Sequence, residues 1–258
     1  MLYRYTDIDK MPSRMLRPSE DVAIDGEWLT GWNGIPLRVL HTIGRHGLSV
    51  QEKTSGKIMG RDGEIVYATS LPTRKISIMC VMKSKDSARM VESFTNLRAF
   101  LYRGTDIREL CFADDVDYRY FGRCISISEP SPGKNTVKFE ITISCPDPYR
   151  YSEERTRSVQ KMLDEIEPKG FTYKLIRYVV MPSGTELIKN ITTQERIALS
   201  SAINREITVD FEKSAIFEGN KNITDKLAFE SSQFPEFLIH YGDEVKATGI
   251  MTYRVRMP

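Results

Sequence analysis

The chain has 258 residues, more than one domain usually holds, so length favours two domains and leaves one large β-domain as the other solution. Hydrophobic residues at 40%, charged residues at 28%, 16 Gly and 12 Pro exclude fibrous, low-complexity and disordered classes and predict a core of real size. Lys and Arg number 37 against 35 Asp and Glu, and a net charge of +2 gives no field that would grip DNA or an anionic membrane at physiological salt.

The opening Met1-Leu2-Tyr3-Arg4-Tyr5-Thr6-Asp7 has neither the positive lead nor the apolar run of a secretory signal, so the chain is expected to stay where it is made. Short apolar runs at Val22–Ile24, 37–40 and 48–50 follow, separated by Gly26, Gly31, Gly34, Gly44 and Gly47, the spacing of brief strands joined by tight turns. The glycine-punctuated stretch 56–63 predicts a hairpin centred near Asp62-Gly63, where positive φ angles are tolerated. Ile76, Ile78, Cys80 and Met82 alternate with Lys75, Ser77, Met79 and Val81, a strand with one apolar face and a second that is partly so. Its uncharged run 76–82, and 139–145 with one acid inside, are far below the roughly 20 apolar residues of a membrane span, and no transmembrane segment is predicted.

One helix stands out. From Ser84 or Asp86, either a competent N-cap, Met90, Phe94, Leu97 and Leu101 recur at steps of three and four, which predicts a helix to about Tyr102 with Gly104 as its stop. Strands are predicted next at 110–112, 118–128 and Thr136–Cys145, the last with Val137, Phe139, Ile141 and Ile143 inward. Cys145-Pro146-Asp147-Pro148-Tyr149 ends that strand, since each proline removes a ladder donor, and the domain boundary is placed there: 1–150 and 151–258. In the charged segment 152–167, Val159, Met162, Leu163 and Ile166 share a helical face, so a short connecting helix is predicted. Eight β-runs follow, at 171–180, 186–191, 197–200, 206–211, 215–217, 227–229, 237–240 and 250–257, which implies a sandwich. In the last of them Met251, Tyr253, Val255 and Met257 face one way and Thr252, Arg254 and Arg256 the other.

No catalytic, cofactor-binding or metal-ligating residue can be assigned. His41, His46 and His240 are few and scattered, and structural or surface positions are expected. Cys80, Cys111, Cys124 and Cys145 form no Cys-x-x-Cys pair and are expected to be buried free thiols. Asp114, Asp115 and Asp117 lack the continuing oxygen ligands and turn glycine of a calcium loop, which favours a solvated turn. Ser55-Gly56-Lys57 lacks the upstream glycine of a phosphate loop and reads as ordinary loop. Tyr118, Tyr120, Phe121, Tyr149 and Tyr151 mix with arginines, and packing in core or interface is favoured over base stacking. From the residues alone the chain is a two-domain, β-rich scaffold or binding protein.

The order Gly44-Arg45, Gly60-Arg61-Asp62-Gly63-Glu64, then Leu71-Pro72-Thr73-Arg74 entering a strand, resembles the N-terminal half of siphophage distal tail proteins. Phe112-Ala113-Asp114-Asp115-Val116-Asp117-Tyr118-Arg119-Tyr120 is similar to that family's Phe-x-Asp-Glu-Pro-Asp segment, with Val116 where proline is frequent. Cys145-Pro146-Asp147-Pro148-Tyr149-Arg150-Tyr151 is similar to its Cys-x-Asp-Pro-Tyr ending, and Phe234-Pro235 through Gly242-Asp243 with Thr252-Tyr253-Arg254-Val255-Arg256 to its final hairpin.

That resemblance implies a mainly β protein: an N-terminal sandwich or split-barrel-like ring domain with one α-helix, and a C-terminal galectin-like β-sandwich. It implies a homo-hexameric ring joining the tail tube to the tail tip or baseplate, through which DNA passes without specific binding. The implied partners are the tail tube protein, a tail-associated lysin or fibre protein, and receptor-binding or baseplate proteins, with no membrane, cofactor or enzymatic activity. The implied location is the tail tip of the virion, assembled in the bacterial cytoplasm. A ring of this kind needs two different complementary surfaces on each protomer, and edge strands of the first domain are natural candidates. Charge reversal at Arg74 or Asp117 is expected to weaken its closure. A galectin-type sugar site would want a tryptophan platform, and Trp28 and Trp32 both lie in the first domain, so docking of adhesion modules is the better reading of the second. The alternatives are a carbohydrate-binding or cell-wall-targeting accessory protein, and a tube-type protein that stacks without end.

Overall fold

The computed structural model describes residues 17–47, 50–54, 62, 66–102, 106–129, 135–159, 162–163 and 171–258. The chain divides into two compact units, the first ending at Arg150 and the second spanning Tyr151–Met257. Both are mainly β, and among the described residues there is one α-helix.

The first unit holds β1 (Val22–Ile24), β2 (Glu27–Trp28), β3 (Leu37–Ile43), β4 (Gln51–Thr54), β5 (Val66–Ser70), β6 (Arg74–Lys83), α1 (Ser87–Leu101), β7 (Arg108–Phe112), β8 (Asp115–Ile127) and β9 (Thr136–Cys145). The strands run antiparallel in the order β3-β6-β9-β8-β7-β1-β2. The long strand β8 is shared: its first part pairs with β7, and beyond Gly122 it pairs with β9. Among the described residues the strands do not close on themselves.

The period-two strands follow the sequence pattern closely. Ile76, Ile78, Cys80 and Met82 of β6 are fully buried, and Val137, Phe139, Ile141 and Ile143 of β9 nearly so, because alternate side chains of a strand point to one face. The helix begins where its cap predicts: the Asp86 carboxylate accepts from Arg89 N at 2.8 Å, satisfying one of the orphan donors of the first turn. Met90, Phe94, Leu97 and Leu101 are buried as expected, and Phe100 joins them. Phe94 meets Phe139 of β9 at 4.8 Å between ring centroids, and Phe100 meets Trp32 at 4.5 Å, so α1 closes the apolar face of the sheet. The helix ends at Tyr102 in extended geometry; Gly104, its expected stop, lies outside the described residues.

β4 and β5 form a separate two-stranded antiparallel sheet, Gln51 opposite Ser70 and Thr54 opposite Val66. These are the flanks of the hairpin expected from the glycine-rich stretch, whose turn lies outside the described residues apart from Asp62. The run expected at 48–50 is not a strand at Val50, its other residues lying outside the description.

The second unit follows from β10 (Arg150–Ser152), which spans the boundary, through β11 (Arg155–Val159), β12 (Met162–Leu163), β13 (Thr172–Val180), β14 (Glu186–Asn190), β15 (Arg196–Ala198), β16 (Ile207–Asp210), β17 (Ala215–Glu218), β18 (Lys221–Asn222), β19 (Leu238–His240), β20 (Val245–Ala247) and β21 (Gly249–Met257). β13 is central to the larger sheet: one edge takes β21, and the other takes β19 in its first half and β16 in its second. β17 and β18 continue from β16, and β11 lies on the far edge of β21. A second sheet runs β12-β20-β14-β15. Two sheets with buried apolar residues on each are consistent with a β-sandwich.

Two expectations are corrected. The helix predicted over 152–167 does not form in its described part: Arg155–Val159 is a strand, with Thr156 opposite Thr252, and Met162–Leu163 pairs with β20. The unpaired backbone of β21 and β20 supplies ladder partners that outweigh a four-residue helical period in a charged segment. The run at 227–229 is not a strand either; it connects two 310 turns, Thr224–Lys226 and Phe229–Ser231, with Leu227 bridging Leu199. Short β18 and β20 carry too few apolar residues to be predicted. No helix of the described residues is long and apolar enough to cross a membrane.

Candidate functional site

The segments that carry the family resemblance in the first unit lie far apart in sequence and meet around two buried arginines. Arg74, which opens β6, donates Nε to Pro148 O at 2.8 Å and Nη1 to the carbonyls of Gly44 (3.0 Å), Arg45 (2.7 Å) and Gly47 (3.1 Å). One guanidinium thus ties the loop after β3 to the loop after β9, because its fixed fork reaches several acceptors at once. Gly44 makes the approach possible: its φ is 95°, and a Cβ there would stand 2.1 Å from Lys75 O.

Arg45 lies against Asp114 in a bidentate pair, both contacts 2.7 Å, with its guanidinium 4.3 Å from the centre of the Phe112 ring. Burial alone would lower the Arg45 pKa, and the hydrogen bond and charge of Asp114, with the smaller contributions of Glu20 and Tyr120, together more than offset it. The hydrogen bond from Arg45 in turn holds Asp114 below the ordinary carboxylate value. Tyr120 Oη donates to Arg45 O at 3.2 Å, and its own pKa is raised by burial. Arg150 pairs with Asp115 and lies 5.0 Å from the centre of the Tyr118 ring. Of the three acids, Asp114 and Asp115 are therefore engaged by arginines, while Asp117 is exposed. Beside Arg74 lies a cavity of about 270 Å³, lined by Gly44, Gly47, Leu71, Pro72, Thr73, Arg74, Lys75 and Pro148. It is smaller than most ligand pockets.

His41, His46 and His240 are all exposed. Cys80 and Cys145 are buried thiols whose pKa burial pushes up to about 12, which makes them inert, whereas Cys111 and Cys124 are only half-buried, against expectation. Ser55-Gly56-Lys57 lies outside the described residues, as does all of Gly60-Arg61-Asp62-Gly63-Glu64 except Asp62. Among the described residues no group of three or more His, Cys, Asp and Glu is placed to hold a metal.

Sequence reasoning missed the third buried arginine. Arg108 donates Nε to Asp25 at 2.6 Å and Nη1 to Phe100 O at 2.7 Å, pinning the helix end to the β1–β2 turn. In the second unit the final matched segment is also a knot: Asp243 Oδ2 accepts from Asn190 Nδ2 at 2.7 Å and from His240 N at 2.8 Å. Neither arrangement has a spacing signal, because partners on different strands are joined only by topology.

The arrangement holds loops in place; it presents no reacting group. Residues 37–145, from β3 to the end of β9, match the family model of the phage tail protein RIFT-related domain. Over this part the chain is similar to siphophage tail proteins. Its fold is that of a distal tail protein: the SPP1 Dit protein, described as a paradigm of the hub adsorption apparatus in Gram-positive-infecting phages, superposes with a TM-score of 0.73 at 16% identity over 92% of this chain and 99% of that one. Two structures of the phage P2 baseplate in its activated conformation, with Ca and with Sr, give TM-scores of 0.47 and 0.48 at 11% and 12% identity, covering 86% and 92% of this chain and 91% and 97% of theirs. No curated protein matches the chain.

Proposed function

We propose that the chain is the structural hub of a siphophage tail tip, a non-enzymatic ring of six copies joining the tail tube to the tail-tip or baseplate proteins and letting DNA pass. The observation that carries this reading is the combination of a phage tail domain at 37–145 with the fold of a hub protein over nearly its whole length. Residues 1–150 are read as the ring-forming domain and 151–258 as a galectin-like sandwich that docks adhesion modules. The near-neutral charge suits a conduit that must release the phosphate backbone as it passes.

The ring interface can be narrowed. The outer edge of β3 is already occupied: Leu37 O accepts from Gly31 N, Val39 N donates to Thr30 Oγ1 at 3.2 Å, and Thr42 N donates to the Glu20 carboxylate at 2.6 Å. Such side-chain caps block strand addition. β4 and β5, which among the described residues pair only with each other, are the better candidates, since a two-stranded sheet is marginal alone and gains from a third strand.

Light scattering across protein concentration, with negative-stain images of the same sample, tests the reading. A closed six-fold ring with a central hole is expected, either from the chain alone or after mixing with the tail-tip protein. Open stacks would indicate a tube protein, and a monomer that fails to bind the tail-tip protein would overturn the assignment.

A further inference from the structure

The smaller sheet of the second unit carries charges that its fold does not need. Lys246 of β20, Lys189 of β14 and Arg196 of β15 stand directly opposite one another on three neighbouring strands. In the adjacent register, Ala247, Ile188 and Ile197 are buried, so the two-residue period of a strand puts the three cations together on the outer face. Like charges in opposite positions weaken a sheet, and the row therefore works against stability. It is poorly neutralised among the described residues: Glu186 reaches Lys246 at 3.8 Å, Arg196 Nε donates only to the Ser231 carbonyl at 3.3 Å, and Lys189 pairs with no acid.

The surroundings of the row decide what it fits. No large apolar side chain is exposed on β14, β15 or β20, whereas the centre of a protein interface is rich in aromatic side chains and poor in Lys. Adjacent strands lie about 4.8 Å apart, so the face offers three positive charges in a straight line at that interval, with the backbone of Met162 on β12 next beyond Lys246. Along the outer edge of β15 runs the 228–233 segment, with Ala228 N donating to Ala198 O and Gln233 N to Arg196 O, and it carries Phe229, 61% exposed.

We propose that this face binds a linear acidic polysaccharide with a carboxylate on each sugar, lying across the strands so that successive carboxylates meet Lys246, Lys189 and Arg196. The guanidinium offers a planar fork to a carboxylate and the lysines act as point charges. Charge does here what a tryptophan platform does in a neutral-sugar site.

Affinity electrophoresis of the full chain through gels containing polygalacturonate tests this, with dextran as the uncharged polymer and polyglutamate as the acidic polypeptide. Polygalacturonate retards the chain, dextran does not, polyglutamate does so less, and the retardation fades as salt rises. The double variant Lys189→Gln, Lys246→Gln binds polygalacturonate about tenfold or more weakly, and Lys221→Gln on β18 binds as the parent does. Removing opposed like charges leaves the thermal midpoint of the double variant unchanged or higher, which separates lost binding from lost folding. Three results each overturn the proposal: no retardation of the parent chain at low salt, an equal loss in Lys221→Gln, or retardation by polyglutamate as strong as by polygalacturonate, the last pointing to an acidic protein as occupant.

Discussion

The two units solve the same problem, tying β-sheet loops together, with different chemistry. In the first, buried guanidinium groups hold the loops: Arg74 serves four carbonyls, Arg45 grips Asp114, and Arg108 joins Asp25 to the helix end. In the second, much of the joining falls to neutral groups. Tyr178 Oη on β13 lies 3.1 Å from Leu187 O and 2.9 Å from Thr248 O and accepts from Thr248 N at 3.0 Å, while Asn190 anchors Asp243. A charged donor makes stronger hydrogen bonds and spans more acceptors, but its removal leaves more groups unsatisfied. The first unit should therefore be more sensitive to the loss of one side chain.

Both tryptophans, Trp28 and Trp32, lie in the first unit, so their fluorescence follows its unfolding separately from far-UV circular dichroism of the whole chain. The largest effect is expected for Arg74→Ala, which strands four carbonyls and should cost the first unit roughly 3–5 kcal/mol in urea unfolding. An unmoved fluorescence midpoint would remove the contrast drawn between the units. Because Arg74 is buried, charge reversal there would disturb the fold as well, so a loss of ring closure in that variant would not by itself locate the interface.

Next is Tyr178→Phe, with an expected loss of about 1–2 kcal/mol read by circular dichroism and little change in the tryptophan signal. Burial pushes the Tyr178 pKa up to about 12, so the hydroxyl remains a donor throughout the working pH range. If this variant proves as damaging as Arg74→Ala, neutral and charged ties are equivalent here.

A pH titration isolates one ionic contact of the first unit. Arg45 holds the folded Asp114 pKa below that of the unfolded carboxylate, about 4, so the pair stabilises the fold above that pH. Its contribution is lost as pH falls through the folded value. The fluorescence midpoint in urea should consequently drop more between pH 6 and pH 3 in the parent than in Asp114→Asn, and equal drops would assign the acid sensitivity elsewhere.

Smallest is Asp117→Lys. The side chain is exposed, and stability should change by less than about 0.5 kcal/mol. If Asp117 lies at the ring interface, the same variant lowers the solution mass, a readout independent of folding.

Much of the fold was legible because strand and helix periods are local. The alternation in Ile76, Ile78, Cys80 and Met82, and the Asp86 cap followed by Met90, Phe94, Leu97 and Leu101, need no knowledge of the rest of the chain. The helix expected over 152–167 failed for a plain reason. Val159, Met162 and Leu163 have helical spacing, yet β21 and β20 offered open edges, and backbone pairing prevailed over a weak period. The site was half legible: Gly44-Arg45, Arg74, Asp114 and Pro148 all fall in the motifs that mark the family, but nothing in their order says that one guanidinium binds them together.

The sequence by itself determined which segments extend, where the helix starts and which faces turn inward, because these depend on neighbours within a few residues. Tertiary structure alone decided that β8 is shared between β7 and β9, that Arg74 serves the loops after β3 and β9, and that Lys246, Lys189 and Arg196 form one row. Each of these joins residues distant along the chain, and only the pairing of strands brings them within reach of a hydrogen bond or of one another's charge.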